Sequence, residues 1–342
     1  MALPSDYIFS ITVTIIITTL STIANLALII AFAIKEHLRT TSNYFIMGLI
    51  SIDLILGLLY PVQTLSHLQV ISSNPECVVL LCILLMLGIL ASFALLSLTI
   101  ERYITISRPL KADSIITLRR YFIATCIATV YSTIVGILPA ITPIGYRVPG
   151  PIPEGCRFHN IVPSAGYRFF IFVNRFATLP IMIILYIKIF LLVRRHARAV
   201  AAQITTTNPS RDTSGGTSGA NDHHAHQEAV RRKYKYKTEA KSAFLLFIIV
   251  AYFIVTWIPF TIVLFSRNAS AADNNQIMYT ISNMFAFSNC FVNPLIYGLG
   301  NRTFRHALLR IFCGRFVRSQ RRREQQSFTI PSVDGQLALE SA

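Results

Sequence analysis

The chain has 342 residues, 53% of them hydrophobic and 13% charged, and its 31 Lys and Arg against 15 Asp and Glu give a net charge of +16. A soluble domain carries about a quarter charged residues; here the shortfall falls in long apolar runs, which excludes an ordinary soluble domain and points to a membrane protein. The positive excess raises nucleic-acid binding as an alternative, but basic residues flanking apolar spans account for it, so no nucleic-acid partner is expected.

A helix needs about 20 apolar residues to cross a bilayer core. Seven stretches qualify, some of them weakly: Ile8–Ile34, Tyr44–His67, Cys77–Ile100, Tyr121–Ile141, Phe169–Val193, Ala243–Ser266 and Ile277–Leu299. The first run has no basic residue before it and no small-residue cleavage site after it, so it reads as a signal anchor rather than a cleaved leader. Lys35, His37 and Arg39 follow it and Asp6 precedes it. Because basic residues stay in the cytoplasm, the N-terminus is expected outside and the C-terminus inside. Four of the basic residues (Arg147, Arg157, Arg168 and Arg267) fall in outer segments and Arg175 falls within a span; the other 26 fall in the inner loops, helix ends and tail, Lys188 being in the inner part of the fifth span.

The expected fold is an all-α membrane protein: a seven-transmembrane helix bundle plus a short amphipathic interfacial helix. Residues 1–7 form a short extracellular N-terminus and 8–299 the bundle. Within it, an inner loop at about 200–230, rich in Gly, Ser and Thr, is expected to be disordered. The basic run Arg231–Lys241 extends the sixth helix into the cytoplasm. Over 300–314, Phe304, Leu308, Ile311 and Phe312 share one helical face beside Arg302, Arg305 and Arg310, as an interfacial helix requires. Cys313 at its end is a candidate for lipidation, and 315–342 form a cytoplasmic tail. Cys77 and Cys156 both fall on the oxidising side, where a bridge is allowed and unpaired thiols are the alternative. Asn268 opens a glycosylation sequon in a short loop.

Several polar residues lie at membrane depth. A charge at the bilayer centre costs about 3 kcal/mol, so such residues face the bundle and carry function or internal bonding. Asp53 is mid-span, with Asn25, Asn289 and Asn293 at comparable depth. They form either a cluster that holds water or a small cation, or a hydrogen-bonded packing cluster. Pro259 follows Trp257 in the sixth span and Pro294 follows Asn293 in the seventh; each removes a helical hydrogen bond and bends its helix. Arg102 ends the third span beside Glu101. Glu239 lies eighteen residues before Trp257, near the same depth. An Arg between two acids is either a latch or a static pair.

These motifs together resemble the rhodopsin-like (class A) G-protein-coupled receptors. The resemblance rests on Asn25, Asp53 with Pro61, Cys77 with Cys156, Glu101-Arg102-Tyr103 with Pro109, Trp257-Ile258-Pro259, and Asn293-Pro294-x-x-Tyr297, in order and on the expected sides. It implies a disulfide between Cys77 and Cys156. It implies that Arg102 pairs with Glu101 and Glu239 at rest and meets a heterotrimeric G protein when the sixth helix opens. Tyr186 and Tyr297 would then swing in, Trp257 would be the pivot beneath the ligand, and Asp53, Asn289 and Asn293 would hold sodium as an allosteric ion, with no other cofactor. Arrestin, a receptor kinase, membrane lipids and an extracellular small-molecule ligand are the further partners implied, at the plasma membrane.

Departures from the family pattern are equally specific. Thr129 stands where the fourth helix usually has Trp. Pro180 is six rather than eight residues before Tyr186, so the fifth helix is expected to bulge differently. Ala91 replaces a Ser that usually helps bind sodium. Amine receptors place an Asp where Leu84 stands, and opsins a Lys where Phe287 stands; Leu264 replaces the Asn with which adenosine receptors read adenine. The short N-terminus, Phe158 two residues after Cys156, and the run at 185–198 are similar to the adenosine, melanocortin and lipid receptor branch. The candidate pocket is Leu84, Phe158, Asn174, Arg175, Trp257, Phe260, Leu264 and Phe287. Arg175 is expected to face it and pair with an acidic ligand; snorkelling outward or bonding backbone carbonyls is the alternative. The ligand expected is nucleoside-like, lipid or acidic, with an amine or short peptide as the other class. A secondary transporter or channel is the alternative function, but no inverted repeat is present. No HExxH, GxSxG or paired intramembrane carboxylate is present, so no enzyme is expected.

Overall fold

The computed structural model describes residues 5–68, 74–141, 165–206, 219–265, 274–312 and 314. The helices, in chain order, are α1 Ser5–Ile34, α2 Thr41–His67, α3 Asn74–Ser107, the single turn α4 Ala112–Ile115, α5 Leu118–Ile141, α6 Ala165–Phe176, α7 Thr178–Thr206, α8 Gly219–Phe265, α9 Asn274–Gly300 and α10 Arg302–Phe312. Spans one to four are α1, α2, α3 and α5; α6 and α7 together make the fifth; α8 and α9 are the sixth and seventh. Among the described residues, six of these spans are long and apolar enough to cross a membrane. The seventh, α9, falls short because Ser282, Asn283, Ser288, Asn289 and Asn293 replace apolar residues on its inward side, where all five are buried.

The third span is the axis of the bundle, packed against the second, fourth, fifth and sixth spans. The first span closes the ring against the second and the seventh. Outward faces are apolar: Ile15, Ile127, Ile134, Phe190 and Val255 are all more than half exposed. On a water-soluble protein such a belt would be a defect; in a bilayer it meets lipid. Without a hydrophobic drive between helices, close contact depends on small residues. Gly136 supplies one such contact, since a Cβ there would lie 2.9 Å from the Cys82 carbonyl and 3.0 Å from Met86.

Several helix limits differ from the sequence expectation. The third helix runs to Ser107, so Glu101-Arg102-Tyr103 lie inside it rather than at its end. Within the segment 200–230, expected to be disordered, α7 continues to Thr206 and α8 begins at Gly219, while 207–218 lie outside the described residues; each apolar span propagates its helix into the flanking polar chain, one hydrogen bond per residue added. The fifth span is broken at Ala177, between α6 and α7. Pro180, the third residue of α7, needs no N–H partner in that first turn, so the break sits where the displaced proline removes the bond.

Two prolines explain how the first span is attached. Pro61 deprives the Gly57 carbonyl of its helical donor, and Pro294 does the same to Cys290. Thr18 Oγ1 donates to the Gly57 carbonyl at 3.3 Å. Asn25 Nδ2 and Ser21 Oγ donate to the Cys290 carbonyl at 2.8 and 3.2 Å. The first span therefore caps the defects of both its neighbours.

Helix α10 lies against the first and seventh spans. Phe304 is fully buried, and Leu308 and Ile311 pack on the same core. Phe312 shares the apolar side but is 61% exposed, facing outward with Leu309. Cys313 lies outside the described residues.

Candidate functional site

Near the C-terminal end of the third span, Arg102 Nε lies 2.9 Å from Glu101 Oε2. Both residues are buried. The other carboxylate oxygen, Glu101 Oε1, accepts from Ser42 Oγ on the second span at 2.5 Å and from Thr105 Oγ1 at 3.2 Å. The Thr105 hydroxyl makes its shorter bond to the Glu101 backbone carbonyl, at 2.9 Å, so the acid is held mainly by the Ser42 hydroxyl and the guanidinium, and it ties the second helix to the third. Ser42 was not singled out by the sequence, because nothing local links it to a residue 59 positions on. Tyr103 packs at the edge of the core. The Glu239 side chain lies outside the described residues, so the partner expected across the bundle is not placed.

Tyr186 and Tyr297 are both buried next to this pair. Thr99 Oγ1 donates to the Tyr186 hydroxyl oxygen at 3.4 Å. The Tyr297 hydroxyl has no hydrogen-bond partner among the described residues.

Midway through the bundle the four expected polar residues divide into three groups. Asn293 Nδ2 donates to Asp53 Oδ2 at 2.9 Å. Asn289 Nδ2 turns to the sixth span and donates to Thr256 Oγ1 at 2.7 Å. Asn25 is committed to the Cys290 carbonyl, as above. The single cluster expected from sequence is corrected accordingly: the proline-freed carbonyl takes Asn25, and the helical phase of Asn289 takes it towards Thr256. One further bond, Tyr252 Oη to Ser288 Oγ at 2.7 Å, joins the sixth and seventh spans at this level.

The residues around Asp53 do not fit a free sodium ion well. A hard cation takes several oxygen ligands. Asn289 Oδ1 and Asn293 Oδ1 are buried without donors. The third span, however, lines the same space with Ala91 and Leu95, which offer none, and the Arg175 guanidinium shares the cavity. No mechanistic step below runs through sodium.

Above Asp53 a cavity opens between the second, third, fifth, sixth and seventh spans, with about 1280 Å³ of empty space counting its open mouth. Leu84, Arg175, Trp257, Phe260 and Phe287 line it, as expected. Its walls are mainly Leu and Phe; Gln63 and Asn283, 3.4 Å apart, supply polar groups. Phe287 stacks on Tyr60 at 4.4 Å between centroids. Asn174 is a correction: its amide donates to the Phe170 carbonyl and its oxygen accepts from Tyr131 of the fourth span, so it points away from the cavity. One residue of helix rotates the side chain by about 100°, which separates Asn174 from Arg175. Phe158 and the Leu264 side chain lie outside the described residues.

Arg175 points inward, against the snorkelling alternative. Its guanidinium carbon is 3.8 Å from the Trp257 ring centroid and 5.6 Å from that of Phe253. Gly88 makes this possible, because a Cβ there would overlap Arg175 Nη1. Trp257 also packs edge-on against Phe260 at 5.5 Å. Pro259 lies within α8 one turn from these rings, and Pro294 within α9 next to Asn293.

At the N-terminal end of the third span, Cys77 is buried and disulfide-bonded. Cys156, the partner that the resemblance implies, lies outside the described residues, so that pairing stays an expectation.

Comparison with known proteins agrees with this geometry. Residues 24–297 match the family described as 7 transmembrane receptor (rhodopsin family). The chain belongs to that family, and its fold is a multi-span seven-helix membrane bundle. It is similar to the human alpha-1D adrenergic receptor, with 26% identity over 87% of this chain and 55% of that protein. It is also similar to the human adenosine receptor A2a (26%, covering 93% and 74%) and to bovine G-protein coupled receptor 52 (27%, covering 89% and 81%). The chain spans about half the length of the adrenergic relatives. Similar identities to three kinds of receptor single out no branch, so the adenosine, melanocortin and lipid assignment is not confirmed.

Proposed function

We propose that this protein is a cell-surface receptor, not an enzyme, that binds a small extracellular ligand within the bundle and activates a heterotrimeric G protein through its inner face. The observation that carries this reading is the buried Glu101–Arg102 pair at the inner end of the same helix whose outer half walls the cavity. A ligand that tilts the sixth span through Trp257 and the Pro259 defect changes what surrounds Arg102. The interfaces most open to change are polar: Asn289–Thr256 and Tyr252–Ser288 can exchange partners, whereas an apolar seam has one packing. Glu239 is the second acid of the latch in this reading. The N-terminus is outside and the C-terminus inside, at the plasma membrane, by the distribution of basic residues.

The ligand is a compact, mainly apolar molecule with one acidic group. Apolar walls and one inward cation favour that chemistry, while Leu84 offers an amine no counter-ion. Once an agonist is found by screening acidic lipids and nucleoside-like acids, Arg175→Gln is expected to reduce its potency at least about tenfold, the effect of one charge-assisted hydrogen bond of about 1.5 kcal/mol. Unchanged potency in a surface-expressed mutant ends the acidic-ligand reading.

A further inference from the structure

We propose that Arg175 is a tethered counter-ion for Asp53, a built-in cation that fills the electrostatic place of a freely bound one. The inference concerns the empty-ligand state and does not depend on which ligand the cavity takes.

Five observations converge on it. First, the third span reserves room for the guanidinium: any side chain at Gly88 would collide with Arg175 Nη1. Second, the guanidinium carbon lies 3.8 Å from the Trp257 ring centroid and 5.6 Å from that of Phe253, whose ring faces attract a cation weakly. That alone is far less than the cost of an unbalanced ion in a bundle interior. Third, Arg175 forms no ion pair with any carboxylate among the described residues, and its Nε has no hydrogen-bond acceptor. Fourth, Asp53 is the acid that lines the same cavity. It is 3% exposed, and one recorded donor, Asn293, serves a carboxylate with about four lone-pair sites. Among the described residues lining that cavity, Asp53 is the one carboxylate and Arg175 the one cation. Fifth, Asn289 Oδ1 and Asn293 Oδ1 are buried acceptors without donors, and a guanidinium carries five donors. Water bridging these groups satisfies both sets at little cost.

The same arrangement explains Ala91 and Leu95. A free cation gains from oxygen ligands on every wall of its site; a tethered cation arriving from the fifth span asks none of the third. Arg175 thus makes those positions free to be apolar.

The test uses the full-length receptor in lipid nanodiscs. Its Tm is compared in NaCl and in N-methylglucamine chloride at equal ionic strength, which holds screening constant. The wild-type protein is expected to melt at the same temperature in both. Arg175→Gln is expected to melt about 3 °C or more higher in NaCl, because the substitution vacates the charge site and its amide oxygen joins those of Asp53, Asn289 and Asn293 in place of the oxygen ligands that the third span lacks, so that sodium binds in the folded state alone, and Asp53→Asn on that background is expected to abolish the difference. Two results overturn the proposal: a sodium-dependent Tm in the wild type that Asp53→Asn removes, or an Arg175→Gln variant as insensitive to sodium as the wild type. If Arg175→Gln does not accumulate, Arg175→Gln/Asp53→Asn decides: recovered folding supports charge balance, and continued loss overturns it.

Discussion

Glu101→Ala is expected to destabilise the receptor by about 3 kcal/mol or more and to raise its basal nucleotide-exchange activity. Breaking one partner of a buried ion pair strands the other, at a typical cost of about 3–5 kcal/mol. Here Arg102 is 6% exposed and Glu101 1%. The alanine variant strands more than the guanidinium, because Ser42 Oγ also loses its acceptor, whereas Thr105 Oγ1 keeps the Glu101 backbone carbonyl at 2.9 Å. The second helix then loses a tie to the third at the level where a G protein would enter. Glu101→Gln keeps an acceptor for Ser42 Oγ and removes the charge, so it should lose less stability while still raising basal activity. Thermal melting of both purified variants, with exchange measured at equal receptor density, separates the two contributions. A loss below about 1 kcal/mol, the level of an exposed pair, would mean that Arg102 already escapes to water.

The second large effect is at Phe304→Ala, which should cost about 3–5 kcal/mol, as large-to-small changes do in a packed core. Phe304 is fully buried although it sits on an eleven-residue helix outside the bundle. It inserts between the first and seventh spans, with Ala307 buried beside it. The opposite end of the helix provides the control. Phe312 is 61% exposed, and Phe312→Ala should change stability by no more than about 0.5 kcal/mol in detergent. Melting curves, with amide exchange over 302–312 as the local readout, distinguish global destabilisation from release of the helix alone. Equal effects of the two substitutions would refute the anchoring role.

Much of the molecule was legible in sequence because its signals are local. Apolar run length marks a span wherever it lies, and among the described residues six helices meet that requirement. Glu101 and Arg102 are neighbours, so their pairing needed no knowledge of the bundle. The displaced proline foretold an altered fifth helix, and the break at Ala177 follows from it. What sequence missed depends on contacts between distant positions. Asn25, Asn289 and Asn293 have similar depth but different rotation, so one expected cluster became three separate bonds. Asn174 and Arg175 are adjacent, yet one faces Tyr131 and the other the cavity. Gly88 carried no signal by itself; its meaning appears once Arg175 arrives from a helix 87 residues later. The helical lengths of α7 and α8 were also underestimated, since the polar composition at 200–230 conceals the reach of the apolar spans that feed into it.

The central claim is that Arg102, released from its acids, meets a G protein. Its most direct test is guanine-nucleotide exchange on purified G proteins by the receptor reconstituted in nanodiscs, comparing wild type, Glu239→Ala and Arg102→Ala. The account predicts measurable exchange by the wild type, faster ligand-free exchange by Glu239→Ala, and exchange at the receptor-free rate with Arg102→Ala. Indistinguishable rates for all three, across representative G proteins and at matched folded receptor, would contradict it.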